Sequence, residues 1–179
     1  IDFYNKFYGP QNATLSIAGD IDVNQTKEWV EKYFGEIKGG KKSTPLPKMP
    51  VKLENTKKVY YEDNFENAPL LAIAFPTVEE YNKDSYALHY LANLLAESKK
   101  SPFYKLLVED KKLVPSVSVN QNSFEIAGKF IIETTAYPDT DLTDVEEAIT
   151  ESLVNFEREG FSDKDLERLK NSIEMNFYD

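Results

Sequence analysis

The sequence predicts an α+β fold: a mixed, largely antiparallel sheet covered by helices, preceded by a strand-and-helix remnant. Three observations predict it. The opening residues read as helix, strand and helix with no sheet of their own. A Pro/Gly/Lys-rich stretch follows, and beyond it strand-like and helix-like periods occur together. The chain then ends in two long amphipathic helices.

The first element is "IDFYNKFYGP", with Phe3, Tyr4, Phe7 and Tyr8 close to helical spacing and Gly9 and Pro10 stopping the helix. In "NATLSIAGD", Leu15 and Ile17 alternate with Thr14 and Ser16, the pattern of a half-buried strand. Asp22 is placed to cap a helix carrying Val23, Trp29, Val30, Tyr33 and Phe34 as its apolar positions. A lone strand cannot satisfy its own edges, so this one requires a sheet from elsewhere.

Residues 38–50, "KGGKKSTPLPKMP", hold two Gly, three Pro and four Lys in thirteen positions. Glycines give flexibility and prolines extended stiffness, the composition of a linker. The predicted organisation is a domain end at 1–40, a linker at 41–50 and a second domain at 51–179. The competing reading is a long surface loop within one domain.

Beyond the linker, "KKVYYED" alternates as a strand, and "PLLAIAFP" is an apolar run bounded by prolines, predicted to be a central, doubly covered strand. "DSYALHYLANLLAES" is an amphipathic helix with Ala87, Leu88, Leu91, Leu94 and Leu95 on one face. "SPFYKLLVED" is a shorter helix with Ser101 as cap and Pro102 at its first position. "VPSVSVNQNS" and "AGKFIIETTAY" are strands. "DLTDVEEAITESLVNFEREG" is a helix with Leu142, Val145, Ile149, Leu153 and Phe156 inward, closed by Gly160. Ser162 and Asp165 form a capping-box-like pair for the last helix. Both chain ends fall inside predicted helices, the pattern of an excised piece.

Composition narrows the function classes. The 179 residues are 41% hydrophobic, enough for a sizeable core. The net charge of −10 argues against a broad nucleic-acid surface, which needs a net basic face. There is no cysteine, so disulfides, thiolate metal sites and cysteine nucleophiles are excluded within the chain. No apolar run is long enough to span a bilayer.

Candidate chemistry is sparse. His89 is the single histidine, beside Leu88 and Leu91, and reads as a helix-surface or boundary residue. A zinc site takes three or four ligands, and no second histidine joins it. Glu79 with Glu80, Glu146 with Glu147, and Glu157 with Glu159 fall in polar positions, and the lysine pairs at 57–58, 99–100 and 111–112 read as solvated faces. There is no G-x-S-x-G elbow and no Gly-rich phosphate loop. Catalytic and metal residues are therefore predicted to be none within this chain.

Three stretches together carry a resemblance. "FYNKFYGPQNATLSIAGDID" with "VEKYFGEIKGG", then "SPFYKLLVEDKKLVPSVSV", then "EREGFSDKDLERLKNSIEMNFY", resemble in order and spacing the pitrilysin/insulinase family of zinc metallopeptidases. The resemblance implies that residues 1–40 end a domain whose inverted zinc motif, H-x-x-E-H, lies upstream of Ile1. It implies that residues 51–179 are a second domain of similar fold, truncated in its last helix. Zinc is then expected in the full-length parent, with none in this chain.

Active members carry an Arg and a Tyr in a pattern like L-R-E-x-x-G-L-A-Y, which hold the substrate and polarise its carbonyl. The pattern falls on "LVEDKKLVP", where Val108 replaces the Arg, Lys112 the Gly and Pro115 the Tyr. Val has no charged donor and Pro no hydroxyl, so these clamp-equivalent positions are degenerate. Two explanations fit. The parent is a long protein with the Arg/Tyr pair in its other half, or it is a catalytically silent member acting as an interaction or assembly subunit.

The expected function is a non-catalytic part of a pitrilysin-type zinc endopeptidase, forming a wall of the peptide-binding chamber. The implied partners are a peptide substrate, reached through the parent, and the other half or a partner subunit. Neither nucleic acid nor a membrane span is expected. A bacterial periplasmic or envelope location is what the family implies.

Overall fold

The computed structural model describes residues 1–178, and the chain divides into two compact units, Ile1–Leu46 and Pro47–Asp179. The first holds a short helix α1 (Asp2–Phe7), a single 3₁₀ turn (Pro10–Asn12) and helix α2 (Val23–Phe34). Asp22 caps α2 as predicted, its Oδ1 accepting from Gln25 N at 2.8 Å. The predicted strand at 14–17 belongs to no sheet, because no strand pairs with it among the described residues.

The start of the predicted linker is tied down. Gln11 N donates to Gly39 O at 2.9 Å, Asn12 Nδ2 to Lys41 O at 3.0 Å, and Ser43 N to Asn12 Oδ1 at 2.7 Å. A side chain on Gly9 would meet the Gly39 carbonyl at 2.7 Å, so glycine permits this close approach. Residues 39–43 are thus part of the first unit's turn.

The second unit is built on a three-stranded antiparallel sheet in the order β1–β3–β2: β1 (Leu70–Thr77), β2 (Ser118–Ser123) and β3 (Gly128–Thr135). β2 and β3 form a hairpin, and the register pairs Ile73 and Val119 with Ile132 on one face. β1 was expected to be central from its apolar run. It lies at the edge of this sheet, with Leu70 and Phe75 exposed, and β3 is central. Pro76 fits this edge position, since it has no N–H to give a further strand. The predicted strand at 57–63 is also absent from the sheet; Tyr60 and Tyr61 are 87% and 89% exposed.

Helix α3 (Lys83–Ala96), a short helix (Tyr104–Asp110), α4 (Leu142–Glu159) and α5 (Asp163–Tyr178) complete this unit. The core holds Leu95 of α3, Phe103 and Leu107, Ile132 of β3, and Val145 and Ile149 of α4. In α3, Leu88, Leu91 and Leu95 of the predicted stripe pack into the core, with the stripe rotated toward Ser85 and Ala92. Ala87 is exposed, whereas Ala92 is buried with Leu95. In α4, Ala148 and Ser152 join the buried side, and Gly160 closes the helix at φ 69° with its N–H on Phe156 O. α5 begins with the predicted capping box. Asp165 N donates to Ser162 Oγ at 3.2 Å, and Ser162 N donates to Asp165 Oδ2 at 3.3 Å.

The sheet has two unlike faces. Phe130, Ile132 and Thr134 of β3 are buried on the helix-covered side. On the other side Ala72, Ala74, Asn120, Lys129 and Glu133 are exposed. An antiparallel sheet with one packed and one open face gives this alternation.

Candidate functional site

The segment aligned with the family's substrate clamp begins in the short helix Tyr104–Asp110. This helix is of the wide π type, closed by Lys111 N on Leu106 O, five residues back, at 2.9 Å. Pro102 starts the helical run as predicted, but Ser101 does not cap it. Its hydroxyl donates back to Ser98 O at 2.6 Å, and the residue is buried. Leu107 is fully buried, and Val108 is half-buried and packs against the core. Val108 therefore spends its side chain on packing. Pro115 is exposed in the loop after the helix.

Lys112 adopts φ 53°, in the left-handed region. A lysine held there carries a penalty of about 1–2 kcal/mol, which glycine avoids. Lys112→Gly is expected to raise stability by a net ~0.5–1 kcal/mol, because glycine also loosens the unfolded chain. A urea midpoint that rises with unchanged slope checks this, and an unchanged or lower midpoint refutes it. The adjacent Lys111 pairs with Glu151 at 2.7 Å, which raises the lysine's pKa and ties the segment to α4.

His89 is exposed on α3, its carbonyl accepting from Asn93 Nδ2 at 2.9 Å. Among the described residues, no cluster of His, Asp or Glu is arranged to hold a metal ion. Glu146 accepts from Lys58 through both oxygens at 2.8 Å, and Glu79 accepts from Lys48 and, at 3.4 Å, from Asn82. The Lys48 contact holds the Glu79 carboxyl below its usual range. These carboxylates anchor residues 48 and 58 to the second unit.

Two concavities lie on the helical side of this unit. One, of about 390 Å³, is an apolar groove lined by Phe75, Leu88, Leu91, Phe130 and Leu153. The other, of about 360 Å³, lies where the end of α3, the 98–102 loop and the α4–α5 turn converge, with Lys100, Asp165 and Arg168 on it. Lys99 and Lys100 are both exposed, as the solvated-face reading expects, and Lys100 also lines this cleft. No local pattern marks Lys100 as lying near Arg168, since helix packing creates that proximity.

Comparison with known proteins defines the class. The chain matches the family described as "Peptidase M16 inactive domain" over residues 1–173. It belongs to that family. It is 30% identical over 174 residues to "Uncharacterized zinc protease YmxG" of Bacillus subtilis, covering 96% of this chain and 40% of that protein. It is 22% identical over 177 residues to "Zinc protease PqqE" of Helicobacter pylori, covering 98% and 40%. The chain thus spans about two-fifths of the length of these relatives. The crystal structure of a protease from Helicobacter pylori superposes with a TM-score of 0.84 at 21% identity, covering 99% of this chain and 43% of that one. A peptidase M16 inactive domain from Pseudomonas fluorescens gives 0.70 at 12% identity, covering 96% and 41%.

Proposed function

We propose that this chain is the non-catalytic part of a pitrilysin-type zinc endopeptidase and forms one wall of the chamber that holds the peptide. The observation that carries this reading is the two-sided sheet. In an inactive-domain relative of zinc proteases, helices cover one face, and the other leaves a surface of small and polar side chains open. Residues 1–40 are read as the end of the preceding, zinc-motif-bearing domain, and residues from 51 onward as the second. Zinc belongs to the longer protein, where it would activate water for attack on a peptide carbonyl. The periplasm or cell envelope is the location this reading favours.

A second reading, a catalytically silent assembly subunit, is favoured by Val108 and Pro115 at the clamp positions. One experiment separates the two. The purified 179-residue chain is expected to bind no stoichiometric zinc and to cleave no peptide. The full-length protein is expected to cleave an unstructured peptide and to lose that activity to a chelator. A full-length protein that carries no zinc and cleaves nothing would favour the subunit reading. Chelator-sensitive cleavage by the 179-residue chain would overturn both.

A further inference from the structure

We propose that the cleft between the end of α3 and the α4–α5 turn binds the free carboxylate end of a peptide whose last side chain is apolar. The choice of a peptide rests on the peptidase reading above. At about 360 Å³ the cleft falls in the size range of small-ligand sites. Leu94, Phe156 and Leu169 give it an apolar lining.

Two cations converge on it, Lys100 and Arg168. That runs against the bulk of the chain, which has a net charge of −10 and only two arginines. Asp165 shows that the two act on one region. Its carboxyl is held below the usual range chiefly by the Ser162 hydroxyl and amide, and the charges of Arg168 and Lys100 add to the effect. Neither cation is saturated. Lys100 makes no ion pair among the described residues, and Arg168 reaches Asp165 only through Nη2 at 3.3 Å. Arg168 keeps the rest of its planar fork of donors.

A carboxylate set between these two groups accepts charge-assisted hydrogen bonds from both. A dianionic phosphate fits less well, because Asp165 and Glu97 also stand on the cleft and the whole chain is acidic. Asn93 gives its Nδ2 to the His89 carbonyl, which leaves its Oδ1 to accept a peptide N–H. Apolar contact for one side chain, cations for the terminus and an amide acceptor are together the requirements of a peptide end.

The test is an NMR titration of the ¹⁵N-labelled 179-residue chain with an acetylated tripeptide ending in phenylalanine, as free acid and as C-terminal amide. The acid is expected to shift amides at Lys100, Gly160 and Arg168. The amide is expected to bind about tenfold more weakly, the value of one charge-assisted hydrogen bond. Lys100→Ala and Arg168→Ala are each expected to weaken the acid about fivefold or more, while Lys99→Ala, off the cleft, leaves it unchanged. Lys100 and Arg168 are exposed, so both variants are expected to keep the fold, checked by an otherwise unchanged spectrum. Equal binding of acid and amide, binding indifferent to both substitutions, or no shifts in the cleft up to the solubility limit would each overturn the site. Because binding is read on this chain alone, the result stands apart from whether the full-length protein cleaves peptides.

Discussion

Phe103→Ala is expected to destabilise the 47–179 unit by about 3–5 kcal/mol, the range for deleting a fully buried phenylalanine. Phe103 is 0% exposed and shares a sealed cluster with Leu95, Leu107, Val114, Val145 and Ile149, all at 0–1%. It stands where the 98–102 loop enters the π-type helix, so its ring joins the elements before the hairpin to α4. Nothing around it is loose enough to collapse into the space, since its neighbours come from four separate segments. A domain of this size has a total stability of about 5–15 kcal/mol, so the loss is a large fraction of it. Urea denaturation followed by far-ultraviolet circular dichroism measures it; tryptophan fluorescence does not, because Trp29 lies in the first unit. Phe65→Ala is the matched control. That ring is 91% exposed, and its removal is expected to change stability by less than about 0.5 kcal/mol. A loss below ~1 kcal/mol for Phe103→Ala would show that the cluster relaxes into the cavity and does not act as one core.

The contrast between Phe103 and Phe65 marks where sequence legibility ends. Features set by a few neighbouring residues were readable: the Asp22 cap, Pro102 at a helix start, the closing Gly160 and the Ser162–Asp165 box. Each depends on bonds that span three or four residues. Features set by distant partners were not. "TLSI" and "KVYYED" have strand composition, yet a strand is defined by what it pairs with, and the partners lie outside their local sequence. The apolar run of β1 reads as central although its outer edge is unpaired in this sheet. On α3, Leu88, Leu91 and Leu95 were readable as inward, but the burial of Ala92 and not Ala87 follows from where β2 and α5 pack, which period alone does not fix. At the clamp positions, Val108 and Pro115 were legible as substitutions, but the packing of Val108 against the core and the left-handed Lys112 required the fold. The cleft of Lys100 and Arg168 was illegible for the same reason. Sixty-eight positions separate the two residues, and only helix packing brings them to one opening.

Gly128→Ala is expected to cost about 3 kcal/mol, by overpacking of ~1–3 together with loss of a buried hydrogen bond of ~1–3. The glycine is not needed for a left-handed backbone, since its φ is not positive. It is needed for room. A Cβ at Gly128 would lie 2.1 Å from Val78 O, 2.9 Å from Thr77 Oγ1 and 3.1 Å from Asn122 O. Two of these three are backbone oxygens, which cannot rotate away. Gly128 is the first residue of the central strand, paired with Thr77 on one side and Ser123 on the other. Its missing side chain lets the two outer strands bond across β3. Gln121, 3% exposed, donates from Nε2 to Thr77 Oγ1 at 2.8 Å and to Ser123 Oγ at 2.9 Å, and Ser123 Oγ donates to Val78 O at 3.1 Å. Moving Val78 aside to admit a methyl group breaks this chain at its last link and strands the buried amide of Gln121. The damage is therefore expected at one end of the sheet first. Amide hydrogen exchange should accelerate at Gln121, Ser123 and Lys129 more than at Ile132 and Thr134, alongside a lowered urea midpoint. Uniform acceleration along β3 would instead point to a general loss of stability. An unchanged midpoint would show that the residue 77–78 backbone yields freely, and then the network across Gly128 does not hold the sheet's edges together.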